Sequence, residues 1–377
     1  MRGGTGIFII LFSGLLSVYA QDSGKDSLKA QPYLEILYHS GTFWSRTENL
    51  QEQFDQGYRA FEARIGFQTK GRRAWHQLHK FPKYGLGLHY ADLVKTRKDT
   101  IVGNPFSLFV FYSAPWLRYG RFTLNTDLSV GLSYTSLIYH PERNPVNDVV
   151  ASHMNLYFGF NFRLYMEISR RMHMNVGAGL THHSNGRIHV PQKGINSWGW
   201  SAGLNYILSK AVDTYYYREL PRFQPYEELQ IMAAAGTVEA IPEGDTEELR
   251  YCNFSITGDY AINFNPKMAM TLGLDVLYDG SLERAIKGML PEEVSTYQKM
   301  YLGSHLGYQY TIHRLTLMFN LGTYFRQSSY DRGFWFGRAG GRFRLTDQVY
   351  AHLAIKTRNG IRSDWIEWGA AYYVKIR

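Results

Sequence analysis

The sequence predicts an all-β protein: a transmembrane antiparallel β-barrel of the outer-membrane type, with about 14–16 strands. Three observations carry that prediction. The 377 residues are 16% aromatic, with 29 Tyr, 22 Phe and 36 Gly, and these dominate where a helical protein would carry Ala, Leu, Glu and Lys. Segment after segment alternates apolar and polar with period 2, the mark of a strand with two different faces. Most of these segments run about 10–14 residues, longer than the strands of most globular domains. Their second face is small and neutral, rich in Gly, Ser, Thr and Asn, which suits a barrel lumen better than a solvated surface.

In chain order the candidate strands fall near 33–40, 57–68, 84–91, 105–115, 121–135, 153–167, 171–184 and 196–209, then 226–236, 249–263, 267–279, 298–312, 314–326, 333–345, 347–357 and 364–376. The fifth shows the pattern plainly: Leu128, Val130, Leu132 and Tyr134 oppose Ser129, Gly131 and Ser133. In the eighth, Trp198, Trp200, Ala202, Leu204, Tyr206 and Leu208 oppose Gly199, Ser201, Gly203 and Asn205. The tenth sets Phe254, Ile256, Tyr260 and Ile262 against Asn253, Ser255, Thr257 and Asp259. The eleventh and thirteenth alternate likewise around Leu272–Tyr278 and Leu315–Leu321. Aromatic residues gather near segment ends (Tyr134, Trp198, Tyr206, Tyr260, Tyr278, Tyr324), as in the girdles of membrane barrels. Sixteen segments fit the even count of such barrels, with 14 the alternative if one hairpin is misjudged.

Residues 1–20 carry Arg2, the apolar runs Ile7–Phe12 and Leu15–Val18, and end Val18-Tyr19-Ala20. This reads as a signal peptide cleaved after Ala20, leaving 21–377 as the barrel. Residues 210–225, with three consecutive Tyr and two Pro, are a possible subdivision between two eight-stranded halves. They lack a linker's Ser/Gly-rich or Pro-rich composition, so one barrel is the preferred reading. Residues 280–297 hold a candidate short helix in a loop. Cys252 alone excludes a disulfide scaffold and a cysteine zinc cluster. The net charge of +9 is scattered, with no dense basic arm, so nucleic acid is not an expected partner.

The chemistry concentrates at the end of the seventh strand. Met174, Val176, Ala178 and Leu180 share the apolar, lipid-side face, which His182 and Ser184 continue. Asn175, Gly177, Gly179, Thr181 and His183 share the lumen face. Side chains at i and i+2 lie within about 7 Å, close enough for a His–Ser hydrogen bond with modest twisting. A serine hydroxyl becomes a nucleophile when a neutral imidazole takes its proton. The bland alternative is a pair of polar residues at the membrane interface. With the N-terminus on the inner side, odd-numbered strands run outward, which places this pair near the outer leaflet.

The run His182-His183-Ser184-Asn185-Gly186, followed by Pro191 and Gly194-Ile195-Asn196-Ser197-Trp198-Gly199, resembles the PagL-type lipid A deacylase family, whose members are often labelled acyloxyacyl hydrolases. The resemblance implies an outer-membrane serine esterase that removes an ester-linked acyl chain from lipid A, the lipid of lipopolysaccharide in the outer leaflet. It implies Ser184 as nucleophile, His182 as base, and Asn185 with the Gly186 amide as oxyanion donors. No cofactor and no metal are expected. The family's motif has a Glu about twelve residues after the nucleophile, where this chain has Asn196. An Asn can still fix a His tautomer, as in Cys-His-Asn hydrolases.

Other candidates are weaker. His76 and His79, with His89 nearby, tempt a metal reading, but no Asp or Glu lies between Glu62 and Asp92. The stretch around Lys70, Arg72, Arg73, Lys80 and Lys83 reads as a basic turn on the inner side. His140 and Glu142 read as solvated loop residues. The rival functions are a transport or structural barrel without a catalytic site, and an outer-membrane phospholipase.

Overall fold

The structure is a computed structural model, and it describes residues 29–44, 57–93, 101–191, 193–209, 215–240, 249–284, 293–326, 333–359 and 362–376. The signal-peptide expectation for 1–20 lies outside them, as does part of the 280–297 loop. Sixteen strands follow in order: β1 (Gln31–Trp44), β2 (Gly57–Gln68), β3 (Lys83–Asp92), β4 (Phe106–Tyr119), β5 (Phe122–Tyr134), β6 (Met154–Ser169), β7 (Met172–Ser184), β8 (Ile195–Ile207), β9 (Tyr226–Ala240), β10 (Leu249–Asn265), β11 (Met268–Asp279), β12 (Met300–Ile312), β13 (Leu315–Arg326), β14 (Trp335–Arg344), β15 (Val349–Arg358) and β16 (Arg362–Lys375). One short helix, α1 (Ala74–Leu78), interrupts the basic turn between β2 and β3. Short 3-10 turns at Gly280–Arg284 and Thr296–Lys299 occupy the described parts of the 280–297 loop.

The strands do not close as one barrel. β8 returns to β1, with Tyr33 opposite Ile207 and Trp44 opposite Asn196. β16 returns to β9, with Trp368 opposite Ala235 and Lys375 opposite Glu228. The result is two closed antiparallel barrels of eight strands each. The count of sixteen strands holds, the preference for a single barrel is corrected to two, and the division falls at the 208–225 connection between β8 and β9. Closure depends on which edge strands pair, and that pairing lies between residues as far apart in sequence as Tyr33 and Ile207, beyond what a local linker composition reports.

The physical reason for closing at eight lies in the lumens. An eight-stranded barrel has an interior just wide enough for side chains to fill. In the first barrel, Arg64 Nη1 meets Asp127 Oδ2 at 2.7 Å and Arg163 Nε meets the same oxygen at 3.0 Å. Arg163 Nη1 also donates to Asn175 Oδ1 at 2.9 Å, and Asn175 Nδ2 donates to Glu35 Oε1 at 3.0 Å. The second barrel repeats the device with other residues. Arg338 bridges Asp275 at 2.8 Å and Glu367 at 2.7 Å, and Arg342 Nη1 donates to Gln230 at 2.7 Å. A lone charge buried there would cost several kcal/mol, so the lumens carry their cations and anions as networks. Side chains fill both interiors, as eight-stranded closure implies, in place of the wider lumen that a single larger barrel would enclose.

The outward faces are apolar along each strand. In β1, Leu34, Ile36 and Tyr38 point out while Tyr33, Glu35, Leu37 and His39 are buried inside. The barrels touch at both ends of the molecule. At one end α1 sits against the β12–β13 turn: His79 Nδ1 hydrogen-bonds Tyr310 Oη at 2.9 Å, and the Trp75 ring stacks on His313. The other contact involves the loop that follows β7.

Candidate active site

β7 keeps the parity read from its sequence. Met172, Met174, Val176 and Leu180 are exposed on the outer wall, whereas Asn175, Gly177, Thr181 and His183 face the lumen. His183 Nδ1 hydrogen-bonds Ser133 Oγ at 2.9 Å and its ring packs on Tyr157, so it belongs to the interior. His182 and Ser184 continue the outward face. Leu180 is 44% exposed but Ser184 only 7%, so the wall turns from open lipid into cover within four residues. The cover comes from the second barrel. A β-carbon built on Gly186 would lie 2.5 Å from Ile366 Cδ1, which places that outward-facing side chain of β16 directly against the strand-end loop. The pair thus lies at the junction of the two barrels, where the lipid-side expectation needs this refinement.

β8 supplies the third group. His182 and Asn196 are cross-strand neighbours in the β7–β8 ladder, with β-carbons about 5 Å apart by geometry. Asn196 Oδ1 accepts from His182 Nδ1 at 2.7 Å. The amide orientation is set by its other end, since Asn196 Nδ2 faces the Gly194 carbonyl at 3.5 Å. An imidazole that donates from Nδ1 keeps the lone pair on Nε2, the nitrogen needed to accept a proton.

The loop after Ser184 concentrates donors. The Gly186 N–H donates to Ser184 Oγ at 3.1 Å. Asn185 is 5% exposed, its Oδ1 accepts from the Arg187 N–H at 3.0 Å, and its buried Nδ2 has no partner among the described residues. An unpaired buried donor costs about 1–3 kcal/mol, and sites that bind an anionic oxygen carry such donors. Gly186 and Arg187 both have positive φ, +63° and +76°, which turns the chain sharply after Ser184.

The direct Ser–His hydrogen bond expected from i, i+2 spacing is not formed here: Ser184 Oγ takes its bond from Gly186 instead. Gly194 stands between the two side chains. A β-carbon built on it would lie 2.9 Å from His182 Cε1 and 3.2 Å from Ser184 Cβ. Its φ of +72° and this close approach both demand glycine. Sequence reasoning missed Gly194 as part of the site, although a Gly two residues before Asn196 in a β7–β8 loop was visible.

The remaining candidates lie elsewhere. His76 and His79 sit on or beside α1 at the opposite end of the barrel from Ser184, and His89 is buried in the lumen of the first barrel. Among the described residues no group of three or more His, Cys, Asp or Glu is arranged to hold a metal ion. His140 Nδ1 accepts from the Glu142 and Arg143 N–H groups and so caps its own turn.

Comparison with known proteins places both barrels. Residues 59–205 match the family model described as lipid A 3-O-deacylase (PagL), and residues 227–376 match the one described as acyloxyacyl hydrolase, C-terminal domain. No curated protein matches the chain. Among solved structures it is similar to Neisserial surface protein A (12% identity, 47% of this chain and 97% of that one, TM-score 0.31). It is also similar to the β domain of the Bordetella autotransporter BrkA (10% identity, 92% of this chain and 100% of that one, TM-score 0.26).

Proposed function

The chain belongs to the PagL-type family, and on that premise we propose that it is an outer-membrane lipid A deacylase whose site is Ser184, His182 and Asn196. The observation that carries the site is the 2.7 Å bond from His182 Nδ1 to Asn196, made on the outward face beside Ser184. The bond attacked is an acyl ester of lipid A, and the description of the matching model points to the 3-O ester.

The mechanism has two steps. Ser184 Oγ attacks the ester carbonyl while His182 Nε2 takes its proton. Asn196 Oδ1 holds the ring in the right tautomer, but as a neutral amide it stabilises the imidazolium less than a carboxylate would. Asn185 Nδ2 and the Gly186 N–H donate to the oxyanion, at about 2.7–4 kcal/mol for a good donor. His182 returns the proton to the departing sugar hydroxyl, which leaves an acyl-serine. Water, deprotonated by His182, then releases the fatty acid. The pair continues the outward, membrane-side face of β7, so acyl chains need not leave the bilayer.

The test is purified protein in detergent with lipid A, read by mass spectrometry, with phosphatidylethanolamine in a parallel arm. Loss of one acyl chain from lipid A with wild type but not with Ser184→Ala supports the proposal. Hydrolysis of the phospholipid alone makes the chain a phospholipase instead.

A further inference from the structure

The loop that holds the proposed oxyanion donors is fastened by the other barrel. Glu239, near the end of β9, is the central contact. Its neighbour Val238 fills the lumen of the second barrel, so Glu239 points outward, yet it is only 2% exposed. A bare carboxylate on a lipid-facing wall would be costly, and this one is covered by the loop from the first barrel. Its Oε2 accepts from the Val190 N–H at 3.0 Å, and His189 Nδ1 lies 3.3 Å from its Oε1. Its own backbone N–H donates to the Arg187 carbonyl at 3.2 Å. Arg250, opposite Glu239 in the β9–β10 ladder, approaches both Glu239 at 3.7 Å and His189 at 3.4 Å. Two further contacts come from β16: Asp364 lies 3.5 Å from Arg187 Nη1, and Ile366 packs on Gly186.

Among the described residues the second barrel does not repeat the Ser184–His182–Asn196 arrangement. Its seventh strand, β15, runs Lys356-Thr357-Arg358 into Asn359-Gly360, where β7 runs His182-His183-Ser184 into Asn185-Gly186. Lys356 turns into the lumen and bonds Asp364 at 2.7 Å and Tyr324 Oη at 2.7 Å. On the outward face that carries His182 and Ser184 in β7, the end of β15 presents Ile355 and Thr357, so no histidine stands beside a hydroxyl there.

We infer that the second barrel is a positioning body for the first, and that Glu239 is its positioning residue, fixing segment 185–190 so that Asn185 Nδ2 and the Gly186 N–H stay aimed at the Ser184 reaction centre. This rests on the proposed deacylase reading for its catalytic consequence, but not for the loop contact itself. Loop donors displaced by about 1 Å lose as much as 100-fold in rate. Substrate binding through acyl chains would be little affected, because the contacts of Glu239 are with Arg187, His189 and Val190 of the loop and with Arg250.

The experiment uses the full chain in detergent with Glu239→Ala and Glu239→Gln. Folding is read by heat-modifiable migration, loop order by amide hydrogen exchange over 185–190, and chemistry by kcat and KM on lipid A. The Ala variant should fold, exchange those amides at least about 10-fold faster, and lose about 10- to 100-fold in kcat with KM within about 3-fold. The Gln variant keeps an acceptor for Val190 and should recover to within about 3-fold of wild type, a rescue that a purely structural fault would not show. If Glu239→Ala folds with wild-type exchange, or with wild-type kcat, the inference is wrong. If Glu239→Ala fails to fold, the Gln variant decides by the same two readouts: exchange and kcat within about 3-fold of wild type support the inference, and larger losses in a folded Gln variant overturn it. If wild type turns over no lipid A while Glu239→Ala still loosens 185–190, the deacylase reading fails and the fastening stands.

Discussion

Gly194→Ala separates site geometry from fold. The new methyl group would sit 2.8 Å from the His183 carbonyl oxygen, 2.9 Å from His182 Cε1 and 3.2 Å from Ser184 Cβ. The His183 carbonyl belongs to the β7–β8 ladder, where His183 pairs with Ile195, so it cannot retreat freely. The imidazole is the part that yields. Rotating it breaks the 2.7 Å bond to Asn196, worth about 1–1.5 kcal/mol, and misplaces Nε2 relative to Ser184. Holding an alanine at φ +72° adds about 1–2 kcal/mol of strain, which falls on stability. The expected result is a kcat lowered about 10- to 100-fold, equivalent to about 1.4–2.8 kcal/mol, with KM little changed and the barrel still folded. Initial rates on lipid A in detergent, with heat-modifiable migration as the folding control, give the answer. A folded Gly194→Ala with wild-type kcat would refute the reasoning, because His182 would then not need its observed position.

Three other outcomes follow from the same geometry. Asn196→Ala should slow hydrolysis about 10- to 100-fold by freeing the His182 ring, while Asn196→Glu should keep or raise the rate, since a carboxylate also stabilises the imidazolium; initial rates of both variants check this. His182→Ala should abolish hydrolysis and His183→Ala should not, because His183 is bonded to Ser133 in the lumen; equal losses in the same assay would mean that the outward face is not the reacting face. Acidification should loosen the α1 end: burial, helped by Arg73, lowers His76 to about 3, and burial, with Lys267, lowers His79 to about 4. Both stay neutral when folded but take protons when unfolded, so stability is present above pH 6.5 and falls as pH drops toward 4. By pH 5 the loss is about 2 kcal/mol for each histidine, readable as a lower melting temperature at pH 5 than at pH 7.

Local pattern in the sequence located all sixteen described strands, because period 2 is written residue by residue: β5, β8, β10 and β11 contain the alternations that run from Leu128, Trp198, Phe254 and Leu272. The same parity sent His182 outward and His183 inward, and the hairpin register brought Asn196 opposite His182. Closure was legible only as the possible subdivision at 210–225, since pairing β8 with β1 instead of β9 is a long-range choice that local composition does not decide. The lumen face was read as small and neutral from Gly, Ser and Thr, yet Arg64, Asp127, Arg163, Arg338 and Glu367 neutralise one another there. Each looks like an isolated charge in its own strand, and only folding shows its partner. Glu239 was invisible for the same reason: its partners Val190 and His189 lie in a different barrel.

The central claim is that Ser184 attacks an acyl ester of lipid A. Its most direct measurement is mass spectrometry of lipid A after incubation with purified wild type and with folded Ser184→Ala. The account predicts a product lighter by one acyl chain, with the matching free fatty acid, from wild type only. Unaltered lipid A with folded wild type, or the same product from Ser184→Ala, would contradict it.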